Sequence, residues 1–263
     1  MIDFSRLEKL HPMVWVYRGA IENNEELLEK IKALPEWNSW WVFGHITDAL
    51  GGGDYTWETF PTEEEWNAHL EMIESQSGKE RFPEITKEIE QYFYAATKPY
   101  IEEHGIELDN WMHQNPSACV YREEGGVTDD MSMHYHTDYQ QEKADARGYK
   151  FRVTCTMYLN DDYDGGELAF AILEDRDNPE SAIKFDYKPT AGDILVFPSI
   201  SPFYHGVKRL RSGDRYFIRN FWLEYFPGTP EWLAGEAEHG EEKWAEMEKA
   251  REDEQRKSWR TIE

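Results

Sequence analysis

The sequence predicts an α+β fold, mainly β: a sandwich or jelly roll with helices packed on its outside. From Trp111 onward, short apolar runs rich in β-branched and aromatic residues alternate with turns carrying Gly and Asp, the spacing of a two-sheet β architecture. Upstream, two stretches carry helical rather than strand periodicity, from Asn24 and from Pro83. The length, 263 residues, allows one large core or one domain with an added lobe. Residues 1–263 are therefore read as a single domain. It has a helical and strand support over about 1–110, a β core over about 111–226 and a peripheral helix over about 230–263.

In chain order, residues 11–20 (HPMVWVYRGA) alternate as a first strand. Asn24 caps a helix through Ala33, with Leu27, Leu28, Ile31 and Leu34 as its apolar stripe and Pro35 as its stop. Trp37 to Phe43 reads as extended and Gly51 to Asp54 as a loop. That loop lacks the Gly-Lys-Ser/Thr continuation a phosphate cradle needs. Thr62 to Glu65 is a capping box for a helix to about Ser75. Pro83 opens a longer helix through Glu103, its stripe running Ile85, Ile89, Tyr92, Phe93, Ala96, Tyr100 and Ile101.

Strands follow at 117–122, 152–160, 167–171, 193–197 and 215–225, with turns at 161–166, 191–192 and 212–214. Residues 123–130 form a loop, and the charged stretch 140–150 reads as a mobile loop beside the site. The Glu/Lys/Arg-rich tail spaces Trp244 and Met247 as a solvated helix.

A formal charge of −25 argues against nucleic acid and anionic membrane surfaces as partners. Most of those carboxylates are read as solvated surface. Two cysteines, Cys119 and Cys155, make no disulfide framework and read as buried free thiols. The charged N-terminal stretch lacks the apolar region of a signal peptide, and no run is long and apolar enough to span a bilayer. These readings predict a cytoplasmic protein.

The chemistry concentrates in Met131 to Asp138 (MSMHYHTD) and in Pro202 to Gly206. His136 and Asp138 form an H-x-D pair, and residues two apart on a strand point to the same side. His205 is the best third ligand, since it lies between two strand-like runs. Two neutral imidazoles and one carboxylate on one face of an ion leave the other face open, the facial set of non-haem Fe(II) oxygenases. A zinc hydrolase could use the same donors, but it has no need of the basic Arg215 beyond the third ligand. His134 also shares the strand face of His136 and is read as hydrogen-bonded, not as a ligand. His11, His45, His69, His104, His113 and His239 read as surface or structural.

Residues from about 117 to 224 resemble the catalytic domain of the Fe(II)- and 2-oxoglutarate-dependent dioxygenases, in the prolyl 4-hydroxylase-like branch. VYREEGG, HYHTD, TCTMYLND, GGELAF, AGDILVFPS, FYHGV and GDRYFIRNFW appear in that family's order. The resemblance implies a double-stranded β-helix, with His136, Asp138 and His205 holding Fe(II). It makes Arg215 the anchor of the distal 2-oxoglutarate carboxylate, which a guanidinium can clamp through two parallel hydrogen bonds. Tyr158 joins that arginine, and Tyr121 matches an upstream tyrosine across a longer gap than the family's. Thr156 shares the Tyr158 face, and Leu168 forms an apolar wall. The implied cofactors are Fe(II), 2-oxoglutarate and O2, with ascorbate allowed as reductant.

The resemblance implies hydroxylation of a C–H bond, first of all in a prolyl residue of a peptide or protein, with release of succinate and CO2. A free amino acid or other small metabolite is the alternative substrate. A non-catalytic jelly-roll binding protein with a structural metal is the alternative of another class. Arg219 lies two pleats beyond Arg215 on the same strand face, where relatives carry a smaller or uncharged residue. Four readings stand: pairing with an internal carboxylate such as Glu167, a bulge turning it outward, the C1 carboxylate of 2-oxoglutarate, or an anionic group on the substrate. Oligomeric state is left open.

Overall fold

The structure is a computed structural model that describes residues 3–33, 83–106, 111–113, 116–121, 130–138, 149–175, 177–225 and 230–247. The expected elements at 37–43, 51–54 and 62–75, residues 140–148 of the expected loop at 140–150, and the stop at Leu34-Pro35, lie outside the described residues, while residues 149 and 150 of that loop are strand.

The chain runs β1 (Leu7–His11), β2 (Val14–Tyr17), α1 (Asn24–Lys32), α2 (Pro83–Glu103), β3 (Trp111–His113), β4 (Ser117–Tyr121), β5 (Met131–His136) and β6 (Tyr149–Tyr158). It continues with β7 (Asp164–Gly165), β8 (Leu168–Leu173), β9 (Ala182–Tyr187), β10 (Ile194–Pro198), β11 (Phe203–Lys208), β12 (Leu210–Ser212), β13 (Arg215–Tyr225) and α3 (Pro230–His239). One sheet has the order β1-β2-β10-β6-β13-β3, with β4 also on β13; the other has the order β5-β11-β8-β9. From β4 to β13 the chain passes back and forth between these two antiparallel sheets. That winding is a double-stranded β-helix, a mainly β, α+β fold.

Strand alternation builds two cores. On β6, Val153, Cys155 and Met157 face outward against α1 and α2, joined by Leu159 just beyond the strand. Trp15 on β2, and Ile218 and Trp222 on β13, lie in that same outer core with Leu27, Ile31, Ile89, Phe93 and Tyr100 of the helices. Two buried hydroxyls fasten helix to sheet: Tyr17 donates to the Ala96 carbonyl at 2.9 Å and Tyr100 to that of Met13 at 3.0 Å. The inner core lies between the sheets and holds Tyr121, Tyr158, Leu168, Phe170, Phe197 and Phe217. Each fully buried large apolar side chain adds roughly 1.5–3 kcal/mol, so this core fixes the helices on one face of the larger sheet and leaves its other face for the site.

Several boundaries differ from expectation. The first strand is a hairpin, β1 and β2, and β6 begins three residues earlier than Arg152. The turn at 161–166 contains the short β7, which pairs with β12. β9 is a strand that was not expected. Asn23, not Asn24, holds the cap position of α1 and makes no side-chain cap bond. Asn24 instead donates from Nδ2 to the Leu159 carbonyl, a tertiary contact that takes it out of the capping role. Cys119 and Cys155 are buried and free, and burial pushes the Cys155 thiol up to about 12. No helix among the described residues is long and apolar enough to cross a membrane.

Candidate metal centre

β5 and β11 are neighbours in the smaller sheet, and His205 stands directly opposite His136. The register then slips: three steps on β5 from His136 to Met133 match two on β11 from His205 to Val207. This bulge breaks strict alternation, so His134 does not share the half-buried position of His136. Its side chain is exposed, and its carbonyl lies 2.8 Å from His136 Nδ1. Gly206 permits the bulge. A Cβ there would lie 2.7 Å from the Met133 carbonyl oxygen and would force the two strands apart.

His136 Nε2 lies 3.8 Å from Asp138 Oδ1, and His205 Nε2 lies 3.6 Å from Asp138 Oδ2. One donor atom from each of the three residues lies within 4.8 Å of the others. Two donors about 2.1 Å from a common ion are at most about 4.2 Å apart, so small side-chain rotations close the set around one cation. His136 Nδ1 is 2.8 Å from the His134 carbonyl. A carbonyl only accepts, so the proton sits on Nδ1 and the Nε2 lone pair faces Asp138. His205 is buried against Phe197, ring centroids 4.8 Å apart. That burial lowers its pKa to about 4, with the Asp138 carboxylate opposing and His136 and Arg219 reinforcing. Two neutral imidazoles and one carboxylate suit a divalent metal held on one face.

Asp138 is held from the facing sheet. Thr154 on β6 donates to its Oδ2 at 2.6 Å, and Ser199 Oγ lies 2.6 Å from the same threonine hydroxyl. A hydroxyl has one proton to give, so Ser199 donates to Thr154 and Thr154 to Asp138. Thr154→Val keeps the shape and removes the bond. It is expected to weaken metal binding about ten- to a hundredfold, the usual cost of losing an outer partner of a ligand. Thr154→Ser restores most of it; equal metal affinity in all three proteins, by anaerobic titration, would remove Thr154 from this role.

Across the inner core, Arg215 enters β13 only 2% exposed. Its guanidinium carbon lies 4.5 Å from the Tyr121 ring centroid, 5.0 Å from Phe217 and 5.8 Å from Tyr158. It donates from Nη1 to the Gly166 carbonyl, while its buried Nε has no partner and no carboxylate pairs with it among the described residues. Gly166 has φ +67°, a left-handed turn. Asn160 fixes the entry to β13 by accepting from Tyr216 N at 2.7 Å and donating to the Asp214 carbonyl at 2.7 Å. Thr156 and Leu168 are buried, Thr156 on the inward face of β6 and Leu168 in the inner core. Burial raises the Tyr121 hydroxyl, and the Arg215 and Arg219 guanidinia pull it back, so this tyrosine lies within reach of both cations. A buried cation walled by aromatic rings and short of acceptors is a receptor for an anion.

The profile of the 2OG-Fe(II) oxygenase superfamily matches residues 120–224, from the end of β4 to the end of β13. Over this stretch, less than half of its length, the chain is similar to that superfamily. No curated protein matches the chain. Among solved structures, it is similar to a 2OG-Fe(II) oxygenase family oxidoreductase from Burkholderia pseudomallei at 14% identity and TM-score 0.33, over 47% of this chain and 48% of that one. A prolyl-4-hydroxylase from Pseudomonas putida shares 13% identity at TM-score 0.43, over 79% of this chain and 86% of its own. A prolyl hydroxylase from Trichoplax adhaerens, in complex with a hypoxia inducible factor oxygen degradation domain peptide fragment, shares 15% at TM-score 0.45, over 81% and 84%. At such likeness they say nothing of this chain's substrate. The oxygenases of this superfamily use Fe(II), 2-oxoglutarate and O2, and the donor set and the buried cation of this chain fit the first two.

The depressed His205 pKa gives this site a pH signature. The unfolded chain takes up the proton at the ordinary 6.5, the folded one only near 4. Stability from the neutral ring is therefore complete above about 6.5 and is lost as pH falls toward about 4. The metal-free protein should lose Tm across that window, and His205→Gln should flatten that part of the slope. An unchanged slope would show that another group carries it. Ser199 and Asn160 were not singled out in the sequence; their bonds join segments 45 and 56 residues apart.

Proposed function

We propose that the protein is an Fe(II)- and 2-oxoglutarate-dependent dioxygenase that hydroxylates a C–H bond, acting on a prolyl residue in a peptide or protein. The observation that carries the reaction class is the meeting of His136, Asp138 and His205 on the smaller sheet, across the inner core from a buried, underpaired Arg215. The prolyl substrate rests on the resemblance of the motifs to the prolyl 4-hydroxylase-like branch.

His136, Asp138 and His205 hold Fe(II) on one face. Arg215 binds the distal carboxylate of 2-oxoglutarate, with Tyr158 and Tyr121 beside it, Thr156 on the same sheet and Leu168 as an apolar wall. When bound, the iron and 2-oxoglutarate supply the oxidation: O2 is consumed, 2-oxoglutarate becomes succinate and CO2, and one oxygen atom enters the substrate C–H bond. The protein orients these groups. The Ser199–Thr154–Asp138 chain fixes the carboxylate plane, the His134 carbonyl fixes the His136 tautomer, and Phe170 and Phe197 exclude water from behind His205.

The test is aerobic incubation with Fe(II), 2-oxoglutarate and ascorbate. Succinate is followed, and products one oxygen atom heavier are sought among proline-containing peptides and free amino acids. Succinate with an oxygenated prolyl peptide is the expected result. No succinate under any condition would leave a jelly-roll binding protein, and an oxygenated free amino acid would move the substrate to a small metabolite.

A further inference from the structure

Arg219 is a second cation on the inner face of β13. Its cross-strand partners are Thr156 on β6 and Ser117 on β4, neither of them charged. Its guanidinium carbon lies 5.3 Å from the Phe221 ring, its Nε is buried, and no hydrogen bond or ion pair is made by it among the described residues. The expected pairing with Glu167 does not form. Nor does a bulge turn it outward: pairing with β6 is regular from Phe217 to Trp222. It stands opposite Thr156, and two residues on, Phe221 stands opposite Thr154, whose hydroxyl holds Asp138, so Arg219 lies on the sheet face that carries both the Arg215 end and the metal-ligand end of the inner core.

We propose that Arg219 is a specificity-determining residue that selects a carboxylate-bearing substrate, an inference that rests on the dioxygenase reading above. Charge balance drives it. A doubly positive iron, the Asp138 carboxylate, the two carboxylates of 2-oxoglutarate and the Arg215 guanidinium together sum to zero. Arg219 then adds one positive charge that no carboxylate among the described residues offsets, on a half-buried side chain beside the Phe221 ring, where an unpaired cation is costly. A substrate with one carboxylate completes the balance. The cosubstrate is the poorer partner, because four residues of strand separate the Cα atoms of Arg215 and Arg219 by about 13 Å. A short diacid anchored at Arg215 turns its other end to the metal. The net charge of −25 repels anions at long range, so selection of one must come from a cation inside the site.

Two sources offer the same chemistry: the α-carboxylate of a free amino acid, and a terminal or side-chain carboxylate of a peptide. The protein is loaded with Fe(II) and 2-oxoglutarate without oxygen, and matched pairs are titrated in. One set pairs free L-amino acids, proline among them, with their amides; the other pairs proline-containing peptides bearing a carboxylate with the same peptides capped as amides. Within the set that binds, the amide should bind about ten- to a hundredfold more weakly, as expected for loss of a charge-assisted hydrogen bond. Which set binds identifies the source. Arg219→Gln should erase that difference and Arg219→Lys should keep part of it. With oxygen admitted, Arg219→Gln should lower kcat/KM for the binding member at least about tenfold more than it lowers substrate-free conversion of 2-oxoglutarate.

Equal affinity within every pair, no binding by any carboxylate member, or equal loss of coupled and uncoupled turnover would overturn the proposal, the last by moving Arg219 to the cosubstrate. Succinate formation by the unmodified protein is the separate control. Its absence counts against the dioxygenase itself, and its presence without carboxylate preference counts against Arg219 alone.

Discussion

Asp138→Ala is expected to abolish Fe(II) binding and 2-oxoglutarate turnover together while leaving the fold standing. The carboxylate is the one anionic member of the cluster, and its two oxygens lie 3.8 and 3.6 Å from the Nε2 atoms of His136 and His205. Without it, two neutral imidazoles face a doubly charged ion with nothing to offset the charge. The loss should exceed the roughly ten- to a hundredfold cost of removing an outer partner such as Thr154. The structural cost is small by comparison. The Asp138 side chain is 11% exposed, and its removal leaves Thr154 without its acceptor, a penalty of about 1–3 kcal/mol. Metal stoichiometry by anaerobic equilibrium dialysis, succinate formation and Tm separate these effects. One Fe(II) per chain with normal turnover in the variant would place the metal elsewhere. Loss of all three signals would show that the carboxylate is a fold determinant.

Much of the architecture was legible because burial on one face writes a period into the sequence. The stripe from Ile85 to Ile101 marked α2 from Pro83 to Glu103, and the two faces of β6 and of β13 followed from alternation alone. Two of the strands that escaped notice lie at sheet edges. β1, with the sequence LEKLH, and β9, with AIKFDY, expose much of both faces, so no regular pattern survives. Asn23 and Asn24 are identical in type and adjacent. Partners far along the chain draw both side chains from capping: Glu88 and Tyr92 hold that of Asn23, and the Leu159 carbonyl that of Asn24. Around the candidate centre, spacing drew attention to His136, Asp138, His205 and Arg215, and the fold brings the first three together opposite the fourth. The bulge that separates His134 from His136 depends on how β5 pairs with β11, and pairing register leaves no mark in one strand's own sequence.

Arg215→Met should raise the Kd for 2-oxoglutarate about ten- to a hundredfold without lowering the stability of the cofactor-free protein. The two halves of this expectation share one cause. A guanidinium that is 2% exposed, with one carbonyl acceptor and a buried Nε lacking a partner, is held at a cost to the fold. The rings of Tyr121, Phe217 and Tyr158 offset part of it, each by about 0.5–2 kcal/mol. Replacing a buried charge by an apolar side chain of similar length is often neutral or stabilising by about 1–4 kcal/mol. Tm without cofactor should therefore hold or rise. The distal carboxylate loses its clamp in the same step, and a charge-assisted hydrogen bond is worth roughly 1.5–3 kcal/mol. Tyr158→Phe, which leaves the cation in place, should raise the Kd less. Titration of the metal-loaded proteins with 2-oxoglutarate in the absence of oxygen, beside thermal melts without it, measures both halves. Normal 2-oxoglutarate affinity in both variants would put the cosubstrate pocket elsewhere. A large fall in the cofactor-free Tm of Arg215→Met would instead make this arginine a structural residue, its aromatic contacts outweighing its unmet hydrogen bonds.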